Sequence, residues 1–320
     1  MSTKYLTNTV ELASPMSDYA DENPGYWEDY DNLQRVKHEL LKRYLGGWFP
    51  ILGSWSPRVI YIDCNAGRGK HDTGQAGSPL IALETLLKHP YRAQILKRSE
   101  VRFFFIEADK QNKEILENNL STYELPTNVN VFVECGPFEK ILQGLVDDLN
   151  KRKATLPPAF VFVDPYGFKL PGRLLSQLKA FEKCELFVTF MWRWIDMAIH
   201  HPAQKENMDA LFGTTDWHNL LAIEDASERC EAAIRLLARP VKLGLPRDGL
   251  RIPIPARSAR QVPNQAAACL AALAPTEQVV DCRRQTGKVL VPLRVLGQTH
   301  ERIVPARTQD HRGVVQPVLP

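Results

Sequence analysis

Five short runs rich in β-branched and aromatic residues recur between stretches with helical spacing of apolar residues, and this alternation leaves few architectures open. The runs lie near residues 59–63, 102–107, 129–133, 160–164 and 185–190, separated by helical patterns near 79–89, 110–120, 138–150 and 171–180. Strands that are apolar throughout must be buried on both faces, which requires a parallel sheet covered by helices. The predicted fold class is therefore α/β, a doubly wound and mostly parallel sheet. An amphipathic helix from Leu33 to Leu45 precedes the first strand and is expected to pack on that sheet.

Three of these strands end in acids. Phe160-Val161-Phe162-Val163 runs into Asp164-Pro165-Tyr166-Gly167. Pro165 cannot continue a ladder and Gly167 permits a tight bend, so a carboxylate and an aromatic ring are expected side by side beyond the strand. That pairing suits a planar amine, whose N–H groups need acceptors and whose ring needs a stacking face. The same four residues also read as a plain strand-ending turn. Upstream, Val59 to Ile62 ends in Asp63-Cys64-Asn65-Ala66-Gly67-Arg68-Gly69, and Arg102 to Ile106 ends in Glu107. An acid at the end of the second strand can accept the two hydroxyls of a ribose, or can serve only as an acid near a helix N-terminus.

Spacing excludes two other glycine-loop chemistries. Gly67-Arg68-Gly69 is followed by Lys70-His71-Asp72 with the next helix beginning near Ser78-Pro79, so no Gly-x-Gly-x-x-Gly opens a helix. Around Gly69-Lys70, Cys64 and His71 stand where a triphosphate-binding loop needs Gly and Ser or Thr.

The order of acidic glycine loop, acid after the second strand and Asp-Pro-Tyr turn resembles class I S-adenosylmethionine-dependent methyltransferases, and the wording is similar to the three-Cys-motif partner family (TcmP). The resemblance covers residues 31 to about 240. It rests on Val36 to Leu45, Tyr61 to Gly69, Gly77-Ser78-Pro79-Leu80, Val163 to Gly167 and Phe190-Met191-Trp192-Arg193-Trp194. It implies S-adenosylmethionine as cofactor, with Asp63, Asn65, Gly67 and Gly69 along its methionine part, Glu107 at its ribose and Glu134 at its adenine. It also implies that Asp164, Pro165 and Tyr166 orient the amine of a substrate. Two departures stand out: Glu134-Cys135-Gly136-Pro137 follows the third strand where an acid usually meets adenine, and Cys64-Asn65 replaces a more common aromatic.

The six cysteines are scattered with no Cys-x-x-Cys pair, which points to reduced thiols and to neither a zinc site nor a disulfide framework. No run is long enough to span a bilayer, and Met1-Ser2-Thr3-Lys4-Tyr5 begins no secretory signal, so a bacterial cytoplasmic protein is expected. A net charge of +3 does not announce a nucleic-acid binder. Lys37, His38, Lys42 and Arg43 on the first helix read as a solvated face or a local basic rim. Trp192-Arg193-Trp194 could stack a base, or could be core.

Residues 1–30 are expected to form a flexible lead, 31–240 the methyltransferase-like domain and 241–320 an atypical tail. The tail holds no Phe, Trp or Tyr, and Arg outnumbers Lys ten to two. Prolines at 246, 253, 255, 263 and 275 interrupt its runs, and only Lys288 to Leu296 is strand-like. Such a tail is expected to be disordered or out of frame and to supply no paired strand; a divergent extension that binds a partner or RNA is the alternative. The expected function is methyl transfer to an exocyclic amine of a DNA or RNA base. The alternative is a catalytically silent methyltransferase fold that docks a cysteine-rich partner protein in a phage-related or defence system.

Overall fold

The computed structural model describes residues 30, 32–165, 167, 169–238 and 289–292. Its elements in chain order are α1 (Asn32–Gly53), β1 (Arg58–Asp63), α2 (Ser78–Leu87), α3 (Arg92–Arg98), β2 (Glu100–Glu107), α4 (Lys110–Ser121), β3 (Val129–Cys135), α5 (Phe138–Lys151) and β4 (Ala159–Val163). Then come α6 (Gly172–Ala180), β5 (Cys184–Phe190), α7 (Trp192–Ile199), α8 (Lys205–Phe212), α9 (Ala226–Ala238) and β6 (Val289–Pro292). The strands form one sheet in the order β3-β2-β1-β4-β5-β6. The first five are parallel and β6 runs antiparallel to β5. This is the doubly wound, mostly parallel α/β architecture that the strand and helix alternation predicts.

Because side chains alternate across a strand, the sheet has two distinct faces. Tyr61, Phe103, Phe105, Phe160, Phe162 and Phe187 make one of them largely aromatic, packed under α1, α2 and α4. Ile60, Ile62, Val161, Val163, Leu186 and Val188 make the other aliphatic, packed under α5, α6 and the helices that follow β5. Each of these large side chains contributes about 1.5–3 kcal/mol on leaving water. In α1, Leu41, Tyr44, Leu45, Trp48, Phe49 and Leu52 recur at helical spacing and supply the stripe that covers the aromatic face.

Helix α1 runs a full two turns beyond the expected Leu45, through Pro50. A proline there cannot donate to the carbonyl four residues earlier, Gly46. His89 Nε2 lies 2.9 Å from that carbonyl oxygen and supplies the missing donor from the loop after α2. A second anchor holds α1 to β5: the buried Glu185 carboxylate accepts from Trp48 Nε1 at 3.1 Å and from the Tyr44 hydroxyl.

Three expectations are revised. Helix α3 was not anticipated, since only Ile95 and Leu96 of its seven residues are buried. Lys37 and His38 are buried, not part of a solvated face, whereas Lys42 and Arg43 are exposed. The tail does supply a paired strand: Val289 to Pro292 pairs with Phe190 to Phe187. The remainder of the expected tail beyond Ala238, the lead up to residue 29, and Tyr166 with Phe168 lie outside the described residues.

Among the described cysteines Cys64, Cys184 and Cys230 are buried and Cys135 is exposed. No described helix is long and apolar enough to cross a membrane.

Candidate functional site

Helices leave the sheet in opposite directions on either side of the β1–β4 boundary, and the crevice beyond the carboxyl ends of those two strands is where such sheets bind ligands. The structure brings Asp63, Glu107 and Asp164 to that edge, at the ends of β1, β2 and β4. Backbone bonds continue past the strands: Cys64 N–H donates to Phe162 at 2.9 Å and Ala66 N–H to Ile106 at 3.0 Å. The loop therefore starts from a fixed base.

Beyond that base the chain folds back on itself. Lys70 and Ala76 form a bridge, His71 N–H donates to Gln75 at 2.9 Å, and Gly77 N–H donates to Gly69 at 2.8 Å. Gly67 and Gly69 adopt φ of 62° and 78°, a region costly for other residues. A Cβ on Gly69 would also lie 2.6 Å from Leu116 Cδ1 and displace that methyl, so the positive φ favours glycine here and the loop packs closely on α4. That is a different reason from the close ligand approach expected of the motif. Arg68 is tied to α4 as well, its Nε donating to Asn112 Oδ1 at 2.7 Å.

Asp63 has no solvent exposure and acts beneath the loop. It accepts from Asn65 N–H at 3.4 Å and from the Tyr61 hydroxyl at 3.3 Å, and Ser78 at the start of α2 bonds it too. Burial pushes its carboxyl up to about 7 against these bonds, with Asp164 adding to the rise. Glu107 is half-buried, with Oε2 accepting from Gly67 N–H at 2.6 Å and Oε1 from Asp109 N–H at 2.9 Å. Burial raises its pKa while those two amides oppose the rise. The Ala108 amide is a third backbone donor to this carboxylate, which leaves it acceptor capacity for a ribose hydroxyl. Asn65 and Glu134 are exposed, the latter at the end of the edge strand β3, and Pro165 is buried.

The residue least expected at the site is Lys37. Its Nζ, from the N-terminal half of α1, forms an ion pair with Asp164 Oδ2 across 127 residues of chain. Next to it, His38 is buried beside Tyr30 and His71. The Tyr30 hydroxyl lies 3.0 Å from His38 Nδ1, and Tyr30 meets the His71 ring edge-on at 5.1 Å. Burial and the Lys37 charge push His38 down to about 3, so it is a neutral imidazole. This cluster joins α1 to the glycine loop. Helical periodicity marked Lys37 and His38 as one more polar pair, and no local signal identifies a partner so distant in sequence.

Past β5, the two indoles separate. Trp192 is buried and stacks on Phe190 with centroids 6.2 Å apart, whereas Trp194 is 52% exposed beside exposed Arg193. No group of three His, Cys, Asp or Glu side chains that could hold a metal occurs among the described residues.

No protein-family model matches the chain, and neither does any curated protein. Among solved structures it is similar to protein LPL1258 from Legionella pneumophila, of the DUF519 family model, at 16% identity over 57% of this chain and 74% of that one, TM-score 0.34. It is similar to yhhF from Escherichia coli at 18% identity over 52% of this chain and 72% of that one, TM-score 0.28. A SAM-dependent methyltransferase from Agrobacterium tumefaciens aligns at 14% identity over 51% of this chain but only 45% of its own length, TM-score 0.31. Likeness this slight carries no argument about chemistry, and the fold rests on the strand order and direction described above.

Proposed function

We propose that this chain is an S-adenosylmethionine-dependent methyltransferase acting on an exocyclic amine of a nucleic-acid base. The observation that carries the reading is the meeting of Glu107, the glycine loop and Asp164 at one edge of the sheet, on either side of the β1–β4 boundary. Glu107 would hold the ribose of the cofactor, with Asn65 and the Gly67–Gly69 backbone along its methionine part and Glu134 toward its adenine. Asp63 would act indirectly by fixing the loop. The cofactor, when bound, supplies a methyl group on a sulfonium sulfur. Asp164 would accept a hydrogen bond from the amine and aim its lone pair, with Pro165 following it in the turn. In that transfer the amine nitrogen would gain the methyl carbon as the carbon–sulfur bond breaks, and would release one proton to water. Positioning and exclusion of water are the main contributions such a site can make.

A second reading, a silent fold that docks a cysteine-rich partner protein, is favoured by one observation: Asp164 is already engaged by Lys37. Calorimetric titration separates the two. Wild type is expected to bind S-adenosylmethionine and S-adenosylhomocysteine, and Glu107→Ala to weaken both by about 1–3 kcal/mol through loss of a charged acceptor. An absence of binding by wild type would overturn the enzyme reading in favour of the silent module.

A further inference from the structure

The Lys37–Asp164 pair is an expensive way to hold a helix in place. Both side chains are largely withdrawn from water, 9% and 16% exposed, and Lys37 gives up rotamer freedom besides. Its neighbours at helical spacing, Leu41, Tyr44 and Leu45, already dock α1 through apolar contact. What the pair adds is chemical: one acceptor and one donor in direct contact, at the end of β4.

An isolated amine, such as a lysine side chain, offers nothing to a donor beside the acceptor that binds it. An amine on a carbon doubly bonded to nitrogen does. Adenine presents N6–H next to N1, and cytosine presents N4–H next to N3, each a donor and an acceptor on adjacent positions of the Watson–Crick edge, whereas on that edge guanine sets N2–H next to the N1–H donor and has its acceptor N3 on the sugar edge. We propose that Lys37 is a specificity-determining residue that opens from Asp164 to donate to this ring nitrogen while Asp164 accepts from the amine. The substrate class is then an adenine or cytosine base presented unpaired. This inference rests on the methyltransferase reading above and narrows it.

A primary amide also offers N–H beside an acceptor, so glutamine in a peptide is the competing class. The rim beyond β5 favours a base. Trp194 exposes its indole and the preceding residue, Arg193, is exposed as well, which offers a stacking face and a phosphate partner on the helix that leaves β5.

The test uses the full chain and single-stranded oligonucleotides, DNA and RNA, carrying one adenine, one 1-deazaadenine, one cytosine or one 3-deazacytosine. Removing the ring nitrogen makes the amine more electron-rich, so a weaker nucleophile cannot explain a loss. Wild type is expected to lose about tenfold or more in kcat/KM on the deaza base, chiefly through KM. Lys37→Met is expected to lose a similar factor on the normal base and to treat normal and deaza bases alike, with S-adenosylhomocysteine affinity within about twofold of wild type. Lys37→Arg, which keeps a donor, is expected to retain the discrimination and covers the case in which the Met variant does not fold. Methylation of normal and deaza bases at equal rates by wild type, or discrimination retained by Lys37→Met, would overturn the role of Lys37 and leave the methyltransferase reading standing. Cofactor binding with transfer to a glutamine peptide, or to no strand at all, would overturn both.

Discussion

Asp63 and His38 are buried at the same site but pull stability in opposite directions with pH. Asp63 titrates near 7 in the fold against an ordinary 3.8, so the folded state holds its proton more tightly than the unfolded chain. The associated stability is full below about 3.8 and is lost as pH rises through about 7. His38 is the reverse case: its pKa falls from 6.5 to about 3, so its contribution is full above 6.5 and is lost as pH falls toward 3. Asp63→Asn keeps an acceptor for the Asn65 amide and removes the charge. It is expected to raise stability at pH 8 by roughly 1–3 kcal/mol and to flatten the alkaline limb of a urea-denaturation series. An unchanged alkaline limb would show that Asp63 is not the group being titrated. His38→Gln should flatten the acid limb and leave the alkaline one as in wild type.

At the scale of elements, α1 connects the most parts of the molecule: the aromatic sheet face, β5 through Glu185, the β4 turn through Lys37 and the glycine loop through His38. Glu185→Ala leaves the Trp48 indole and Tyr44 hydroxyl without their buried acceptor, and thermal or urea unfolding should report a loss of about 2–4 kcal/mol. Glu185→Gln should cost less, because it keeps one acceptor for Trp48. A loss below about 0.5 kcal/mol for the Ala variant would mean that the apolar stripe alone holds the helix. The five parallel strands were legible because strands buried on both faces must be apolar along their whole length. The acids at their ends were legible for a related reason, since a charged residue stops such a run. The second half of α1 was not, because Pro50 is an ordinary helix terminator and the donor that compensates it, His89, comes from elsewhere. Nor was the Lys37–Asp164 pair: periodicity reports which face of a helix is apolar, not which polar residue is buried against a distant strand.

For the molecule as a whole, the order of the sheet places β3 at one edge and β6 at the other. A chain ending at Ala238 would lack β6 and expose the backbone donors and acceptors of β5 from Phe187 to Phe190. Such a truncation is expected to associate in a concentration-dependent way that the full chain does not show, measured by light scattering across a dilution series. Equal behaviour of the two proteins would mean that β6 contributes little to covering that edge. Prolines and missing aromatics argue against strands over the tail as a whole, yet β6 falls inside Lys288 to Leu296, its one strand-like run, and four residues suffice for an edge strand.

The position of β6 in the chain also sets an order of events. The five parallel strands are complete once Phe190 has been made, while the strand that covers β5 is drawn from Val289–Pro292. Closing so long a stretch of chain carries an entropic cost that the local βα units do not have, so its pairing belongs late in folding. During synthesis from the N-terminus, the β5 edge therefore stays open while the 98 residues between Phe190 and Val289 are made, an interval in which another copy of the same nascent chain can compete for it.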